Sequence, residues 1–302
     1  DMTHNVFIDG EAGTTGLQIR ERLANETGIS VLSIAHEERK DPKARQALMR
    51  EADVVILCLP DDAAREAVSL ADALGYDAPR IIDASTAHRT AEGWVYGFPE
   101  LEPGHGDTIA KAKRVANPGC YPTGAIALLR PLREAGVLAD DYPVTVNAVS
   151  GYTGGGKSMI ADYETGKAPP FLLYGLGLDH KHLPELTKHA KLTRPPIFVP
   201  SVGNFAQGML VSVPLYLDGT TIAQLHDIYA TYYAGAGSAV HVAGNSGNVK
   251  IALDDSAIND TMSVHVYGKD DLSQAVVVAR LDNLGKGAAG AAVQNLKLML
   301  GE

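Results

Sequence analysis

The chain has 302 residues, 45% of them apolar, and 36 acidic against 26 basic side chains give it a formal net charge of −10. Such a chain can bury a large core and predicts about two domains. Its charges are interspersed, so no basic block marks a nucleic-acid or membrane surface, and an anionic ligand would have to be met by local donors such as an arginine or a helix N-terminus.

The two cysteines, Cys58 and Cys120, form no disulfide framework and point to a reducing compartment, the cytoplasm. No apolar run approaches the roughly 20 residues of a membrane helix. The opening DMTHNVFIDG does not read as a signal peptide, and Asp1, ahead of Met2, reads as a cloning remnant and is set aside.

The first third alternates apolar runs with helical patterns. NVFIDG, residues 5–10, is a short strand ending in glycine, and TTGLQIRERLANE behind it spaces Leu17, Ile19 and Leu23 for an amphipathic helix. ISVLSIA reads as a strand, KARQALMREA as a helix and DVVILCLP as a strand apolar throughout; AAREAVSLADALG is a helix closed by Gly75, and RIIDAS and KRVANPG are further strands. Strands apolar on both faces, alternating with helices, predict a doubly wound parallel sheet of the Rossmann kind.

From Cys120 onward the texture changes. PTGAIALLRPLREAG is a helix with Pro122 in its first turn and Gly136 at its end. PVTVNAVSG, PPIFVPSV, GMLVSVPLYL, NVKIAL, TMSVHVYG and QAVVVARLD alternate as strands of a mixed or antiparallel sheet, with TIAQLHDIYATYYAG a helix beside them. These make an α+β second domain. The final KGAAGAAVQNLKLMLG is a helix with small residues along one side, expected to return to the first domain. The expected division is residues 1–118 with 285–302 for the first domain, and 119–284 for the second.

IDGEAGTTGLQI sets Gly10, Gly13 and Gly16 at the first strand-to-helix turn, where a dinucleotide fold carries its phosphate loop. Glycine permits the tight turn, and the helix N-terminus supplies N–H groups to a pyrophosphate. The spacing is G-x-x-G-x-x-G rather than G-x-G-x-x-G, so position carries the argument; an ordinary glycine turn is the alternative. Thr14 and Thr15 at the helix start, with Pro60, Ser85 and Asn283 further along, complete the expected cofactor contacts. Past the second strand, AHEERK offers Glu37 and Glu38 to a ribose hydroxyl but Arg39 and Lys40 to a 2′-phosphate, and the basic pair tips the expectation to NADP(H).

Cys120, in ANPGCYPTGAIALL, sits between a strand and a helix start, where the helix's positive end raises the thiolate fraction. A small buried residue at a domain junction is the plain alternative, but Pro118-Gly119 and Pro122-Thr123-Gly124 shape a tight site and favour a nucleophile. Cys58, inside VVILCLP, reads as an inert core thiol.

FIDGEAGTTGLQIRERL, WVYGFPEL, NPGCYPTGAIALLRPL, DHKHLPEL, PSVGNFAQGML and DNLGKGAAGAAVQNLKLMLG together resemble the N-acetyl-gamma-glutamyl-phosphate reductase family, in its shorter form, from the first strand to the last helix. The cysteine and HKHLPE motifs separate it from the aspartate-semialdehyde dehydrogenases, which share fold and chemistry. The resemblance implies NADPH-dependent reduction of N-acetyl-5-glutamyl phosphate to N-acetylglutamate 5-semialdehyde in arginine biosynthesis, with release of phosphate, through a Cys120 thioester. It also implies a homo-oligomer, dimer or tetramer, formed through the second domain. An acyl-phosphate reductase of another pathway is the alternative within the same chemistry.

HKHLPELTKH carries His180, His182 and His189. H-x-H with a distant third histidine is poor zinc spacing, so no metal is expected, and a solvated loop entering a helix is a second reading. The family has a histidine of this motif as general acid/base; His182, three residues before Glu185, is favoured, with His180 the alternative. Arg89, in DASTAHRT, is placed to pair a substrate carboxylate or phosphate, or to be an ordinary loop arginine. Where the longer form carries an arginine, this chain has Gln207-Gly208, so no arginine role transfers there.

SGYTGGGKSM, residues 150–159, matches the G-x-x-x-x-G-K-S phosphate-loop pattern of nucleotide hydrolases. Against that reading, the pattern does not open the chain, the helix behind it is short, and no later strand ends in a suitable aspartate. Ser150, Gly151 and Tyr152 are therefore expected on the substrate side, with Glu185. A non-catalytic NADP sensor of dehydrogenase fold is a third reading, opposed by the intact cysteine and histidine motifs.

Overall fold

The computed structural model describes residues 2–302; Asp1 lies outside the described residues. The chain divides into two compact units: one runs to Pro99, resumes over Gly104–Pro118 and takes Ala288–Glu302, and the other comprises Glu100–Pro103 and Gly119–Gly287.

In the first unit the chain runs β1 (His4–Asp9), α1 (Thr14–Leu23), β2 (Ile29–Leu32), α2 (Pro42–Glu51), β3 (Val54–Leu57), α3 (Asp61–Asp72), β4 (Arg80–Asp83), β5 (Val95–Tyr96), α4 (His105–Lys111) and β6 (Arg114–Ala116). The strands pair in the order β2-β1-β3-β4-β6-β5, and every pairing is parallel. Strands β1 and β3 are buried on both faces because helices cover both. Val6, Ile8 and Ile56 join one core with Ile19, Leu23 and the last helix, while Phe7, Val55 and Leu57 join the other with Met49 and Ala67. Their near-continuous apolar sequences follow from that double burial. The order reverses between β1 and β3, the switch point outside whose carboxyl ends such sheets bind ligands.

The second unit runs α5 (Cys120–Glu134), β7 (Thr145–Gly151), α6 (Gly156–Glu164), β8 (Phe171–Leu173), α7 (Leu183–His189), β9 (Ile197–Gly203), β10 (Met209–Tyr216), α8 (Ile222–Tyr232), β11 (Val240–Val242), β12 (Met262–Lys269) and β13 (Gln274–Leu281). Its strands form a mixed sheet in the order β11-β12-β13-β10-β7-β9-β8. Along β10, Met209, Val211, Val213 and Leu215 point into the core while Tyr216 is exposed, the alternation expected of a sheet covered on one side. Helix α5 is that cover. Every residue from Tyr121 to Leu132 is buried, and a side chain at Gly124 would stand 2.7 Å from the Val211 side chain, so only glycine lets this helix lie so close to β10. Tyr233 of the α8 C-terminus donates to the Ala127 carbonyl of α5 at 2.7 Å, locking the two helices together.

The helix α9 (Gly290–Leu300) returns to the first unit. Arg80 donates to its Met299 carbonyl at 2.5 Å, and Ala292, Val293 and Leu296 enter the β1 core. The small-residue stretch before it is not one continuous helix: Gly285–Ala289 is wound as a π-helical turn.

Some elements depart from the sequence expectation. NVKIAL, residues 248–253, forms no strand. Asn245, Ser246 and Asn248 accept the N–H groups of Gly247, Asn248 and Lys250 at 3.0, 3.3 and 3.1 Å, and such local bonds compete with a ladder. Strands β5, β8 and β11 and helix α4 are additional; with two, three, three and seven residues they are too short to declare a period. Among the described residues no helix is long and apolar enough to cross a membrane.

Candidate active site

The glycine loop behind β1 lies at the switch point. Gly10 has φ +91°, and a side chain there would run into the Cys58 carbonyl at the end of β3. Gly16 is equally enclosed, 2.6 Å from the Gly10 carbonyl oxygen to where a Cβ would be. Gly13 caps α1, Thr14 and Thr15 form its first turn, and that turn carries no acidic side chain to repel an anion. Glu11 is neutralised by Arg20 at 2.5 Å. This is a cradle that side chains would fill, with helix N–H groups at its rim, and it suits a pyrophosphate.

Arg39 follows β2 with an exposed guanidinium 3.1 Å from the His36 ring. Pro60 caps α3 at the end of β3. Ser85 donates through both N–H and hydroxyl to Asp83, at 2.9 and 3.0 Å. His88 meets the same carboxylate at 2.5 Å and stacks on Trp94 with ring centroids 4.2 Å apart. Arg89 is buried, and its guanidinium donates to the carbonyls of Asn117 at 2.8 Å and Ala84 at 3.0 Å. Those bonds anchor the loop between β4 and the end of β6. Burial, with Asp83 and Asp9 nearby, pushes the Cys58 thiol up to about 12, so it stays protonated and unreactive.

In the second unit, Cys120 is the first residue of α5, behind the cap Gly119. Fifteen aligned peptide units make this helix end a favourable place for an anionic sulfur. The Gly119 N–H is held by the buried Glu185 carboxylate at 2.9 Å. Glu185 thus reaches across to the helix that carries the thiol. On the other side, a Cβ at Gly287 would lie 3.0 Å from the Cys120 Cβ, so bare backbone packs on the cysteine.

His180 and His182 come together, ring centroids 4.7 Å apart, and each lies 5.9 Å from the ring of Tyr121, the residue after Cys120. Tyr121 donates to the Ser201 carbonyl at 3.1 Å and Tyr174 donates to the Tyr121 oxygen at 2.9 Å. Burial pushes the Tyr174 hydroxyl up to about 12, and charge on Cys120 adds to the shift in both phenols, which puts the thiol within electrostatic reach of them. The two tyrosines are the site residues that sequence reasoning missed. Tyr121 was visible only as the cysteine's neighbour, and nothing in YGLGLDH, residues 174–180, announces Tyr174.

The His182 backbone N–H donates to His180 Nδ1 at 3.0 Å. That bond leaves the neutral His180 ring with its proton on Nε2. Burial, then Lys181, lowers the His180 pKa from 6.5, with Asp179 opposing. The unfolded chain therefore binds this proton more tightly. Stability from this group is present above pH about 6.5 and is lost as pH falls through the lower folded value. His180→Asn is expected to flatten the decline in melting temperature between about pH 7 and 5; an unchanged acid limb would count against the burial.

Ser150 and Gly151 close β7, and Gly151 has no room for a side chain beside the Ala206 carbonyl. Tyr152 stacks on Tyr163 with centroids 4.9 Å apart. Asn283 accepts the Gly208 N–H at 2.9 Å and donates to Thr153 Oγ1 at 3.0 Å, and so ties this loop to the end of β13. Gln207 donates to both Asp282 oxygens, at 3.2 and 3.1 Å. Lys157 and Ser158 of the phosphate-loop pattern are exposed on the nine-residue α6. Strand β7 runs between a parallel β9 and an antiparallel β10 in a mixed sheet. Lys157→Ala is expected to leave stability within about 0.5 kcal/mol and to abolish no ATP hydrolysis; a saturable, magnesium-dependent hydrolysis lost in the variant would contradict this. Among the described residues no group of three or more His, Cys, Asp or Glu is arranged to hold a metal ion.

Comparison with known proteins places both units. Residues 5–109 match the family described as semialdehyde dehydrogenase, NAD binding domain, and residues 120–283 match semialdehyde dehydrogenase, dimerisation domain. The chain is 55% identical to the N-acetyl-gamma-glutamyl-phosphate reductase of Sinorhizobium medicae and 56% identical to that of Chelativorans sp., each over 99% of both chains. The Brucella anthropi protein of the same name is 54% identical over the full length of both. Among solved structures, aspartate semialdehyde dehydrogenase II of Vibrio cholerae matches with a TM-score of 0.73 at 16% identity, covering 100% of this chain and 99% of that one. The Candida albicans aspartate semialdehyde dehydrogenase with NADP matches at 0.66 and 14%, covering 99% and 98%. At those identities the structural likeness speaks for the fold.

Proposed function

We infer the reaction from membership: the chain belongs to the N-acetyl-gamma-glutamyl-phosphate reductase family, and we propose that it reduces N-acetyl-5-glutamyl phosphate to N-acetylglutamate 5-semialdehyde, releasing phosphate, in arginine biosynthesis. The observation that carries the reading is Cys120 at the N-terminus of α5, followed by Tyr121, whose ring lies 5.9 Å from each of the paired rings of His180 and His182.

The residues of the first unit fit NADP(H). Gly10, Gly13 and Gly16 would take the pyrophosphate on the α1 N-terminus with Thr14 and Thr15, Arg39 would meet the 2′-phosphate, and Pro60 and Ser85 would border the dinucleotide at the ends of β3 and β4. When bound, the nicotinamide supplies the hydride.

In the second unit, His182 takes the Cys120 proton and Sγ attacks the acyl carbon. The C–O bond to phosphate breaks, the proton leaves with the phosphate, and a thioester remains on Cys120. Hydride addition to the thioester carbonyl gives an alkoxide, which collapses to aldehyde as the C–S bond breaks and the thiolate returns. The Tyr121 N–H in the first turn of α5 is the proposed oxyanion donor, since Pro122 has none and the Thr123 N–H closes the helix on Gly119 at 3.0 Å. Glu185 serves as a positioning residue through Gly119. Ser150, Gly151 and Tyr152 form the substrate side, and Arg89 orders the loop that faces the ligand end of the first sheet.

A homo-oligomer through the second unit is supported by the outer face of β10 and β13, where Tyr216 is 72% and Val276 40% exposed, and a cytoplasmic location by two free cysteines. The reaction is tested in reverse. NADP reduction by N-acetylglutamate semialdehyde should depend strictly on phosphate, and aspartate semialdehyde should not replace it. Phosphate-independent reduction, or preference for aspartate semialdehyde, would overturn the assignment.

A further inference from the structure

The second unit buries a complete ion pair that the chemistry above does not use. Lys286 has 0% exposure, and its Nζ donates to both carboxylate oxygens of Glu100, at 2.8 and 3.2 Å. Glu100 also accepts the Ala239 N–H at 3.3 Å, so the acceptor is itself fixed. Burial lowers the Lys286 pKa from its ordinary value while Glu100 opposes the shift. Apolar residues of similar volume often replace such a pair without loss of stability. Stability alone therefore gives little reason for burying an ammonium here.

Its place gives a reason. Lys286 sits in the π-helical turn that begins at Gly285, and single π turns concentrate at functional sites. The N–H groups of Gly285 and Gly287 both donate to the Asp282 carbonyl, at 3.0 and 3.1 Å, which draws the chain into a tight loop. The apex of that loop is Gly287, whose Cβ position would be 3.0 Å from Cys120 Cβ and 3.4 Å from its Cα. Between two glycines with no side chains to hold them, Lys286 supplies the side-chain anchor.

We propose that the Lys286–Glu100 pair is a positioning device that holds the Gly285–Gly287 backbone against Cys120 and thereby sets the sulfur for attack. The proposal deepens the reductase reading and rests on it. Neither Lys286 nor Glu100 touches the reacting atoms; they act through Gly287.

The test is the double variant Lys286→Met with Glu100→Gln in the full chain. It leaves no unpaired buried charge and keeps an acceptor for Ala239. It should melt within a few degrees of the native protein, yet iodoacetamide should alkylate Cys120 about tenfold more slowly, with Cys120→Ser as the blank. With the acyl phosphate, kcat should fall about tenfold or more while KM changes little, the pattern of a misplaced nucleophile. A folded double variant with native alkylation and native kcat would overturn the proposal. Should the double variant fail to fold, Lys286→Gln with Glu100→Gln, which also leaves no buried charge, carries the same expectation and the same contradiction. If the native chain reduced no acyl phosphate, the alkylation rates would still decide this inference, so the two failures are separable.

Discussion

Serine at position 120 is expected to lower acyl-phosphate reduction by roughly three orders of magnitude or more while leaving NADP binding intact. The hydroxyl occupies the same place at the start of α5, but it ionises far less readily than a thiol and is a poorer nucleophile at neutral pH. No thioester forms, so hydride has no acceptor. The cradle of Gly10, Gly13 and Gly16 belongs to the other unit and does not depend on the sulfur. Single-turnover NADPH oxidation and a fluorescence titration with NADP read the two properties separately. Turnover within tenfold of the native rate, about 1.4 kcal/mol of barrier, would remove Cys120 from the mechanism.

His182→Asn is expected to cost about 10²- to 10⁴-fold in kcat, the usual worth of a placed general acid/base, with a smaller loss for His180→Asn. The distinction rests on what each ring already does. His180 accepts the His182 backbone N–H through Nδ1, which commits one nitrogen to the loop. His182 caps α7, one turn ahead of Glu185, which holds Gly119 and with it the start of α5. Asparagine keeps a polar group of similar size, so a folded His182 variant isolates proton transfer. A larger loss at His180 than at His182 would exchange the two assignments.

The first unit was legible because its strands are apolar on both faces and its glycines fall at the first strand-to-helix turn. Val6, Ile8 and Ile56 could not belong to a half-exposed sheet, and Gly10 at φ +91° is where the chain needs glycine. The second unit was legible where strands alternate over seven or eight residues, as in β7, β10, β12 and β13. It was not legible where alternation is broken by side-chain bonds to the backbone. Residues 248–253 have the pattern of a strand, and the Asn-Ser-Asn run just before and into them turns the chain instead.

The candidate site divided along the same line. Cys120 and the histidine pair were readable because each stands next to a helix start that sequence marks, Pro122 for α5 and Pro184 for α7. What those residues touch was not. Glu185 binds the Gly119 N–H, and Tyr174 reaches Tyr121 from 53 positions away. Arg89 spends its guanidinium on backbone carbonyls, and Lys286 finds Glu100 across 186 positions. Long-range partners of single polar side chains leave no period in a sequence. The phosphate-loop pattern at Gly151–Ser158 shows the reverse: a local spelling set beside a mixed sheet, with Lys157 and Ser158 exposed on a nine-residue helix.

Reduction through Cys120 requires a covalent acyl group on its sulfur. Mixing the protein with N-acetyl-5-glutamyl phosphate in the absence of NADPH, then quenching in acid and mapping peptides by mass spectrometry, tests it directly. One N-acetylglutamyl adduct is expected, on the peptide containing Cys120, and it should disappear when NADPH is added before the quench, with aldehyde released in equal amount. Steady turnover with no adduct on Cys120, or an adduct on Cys58 that NADPH discharges, would contradict it.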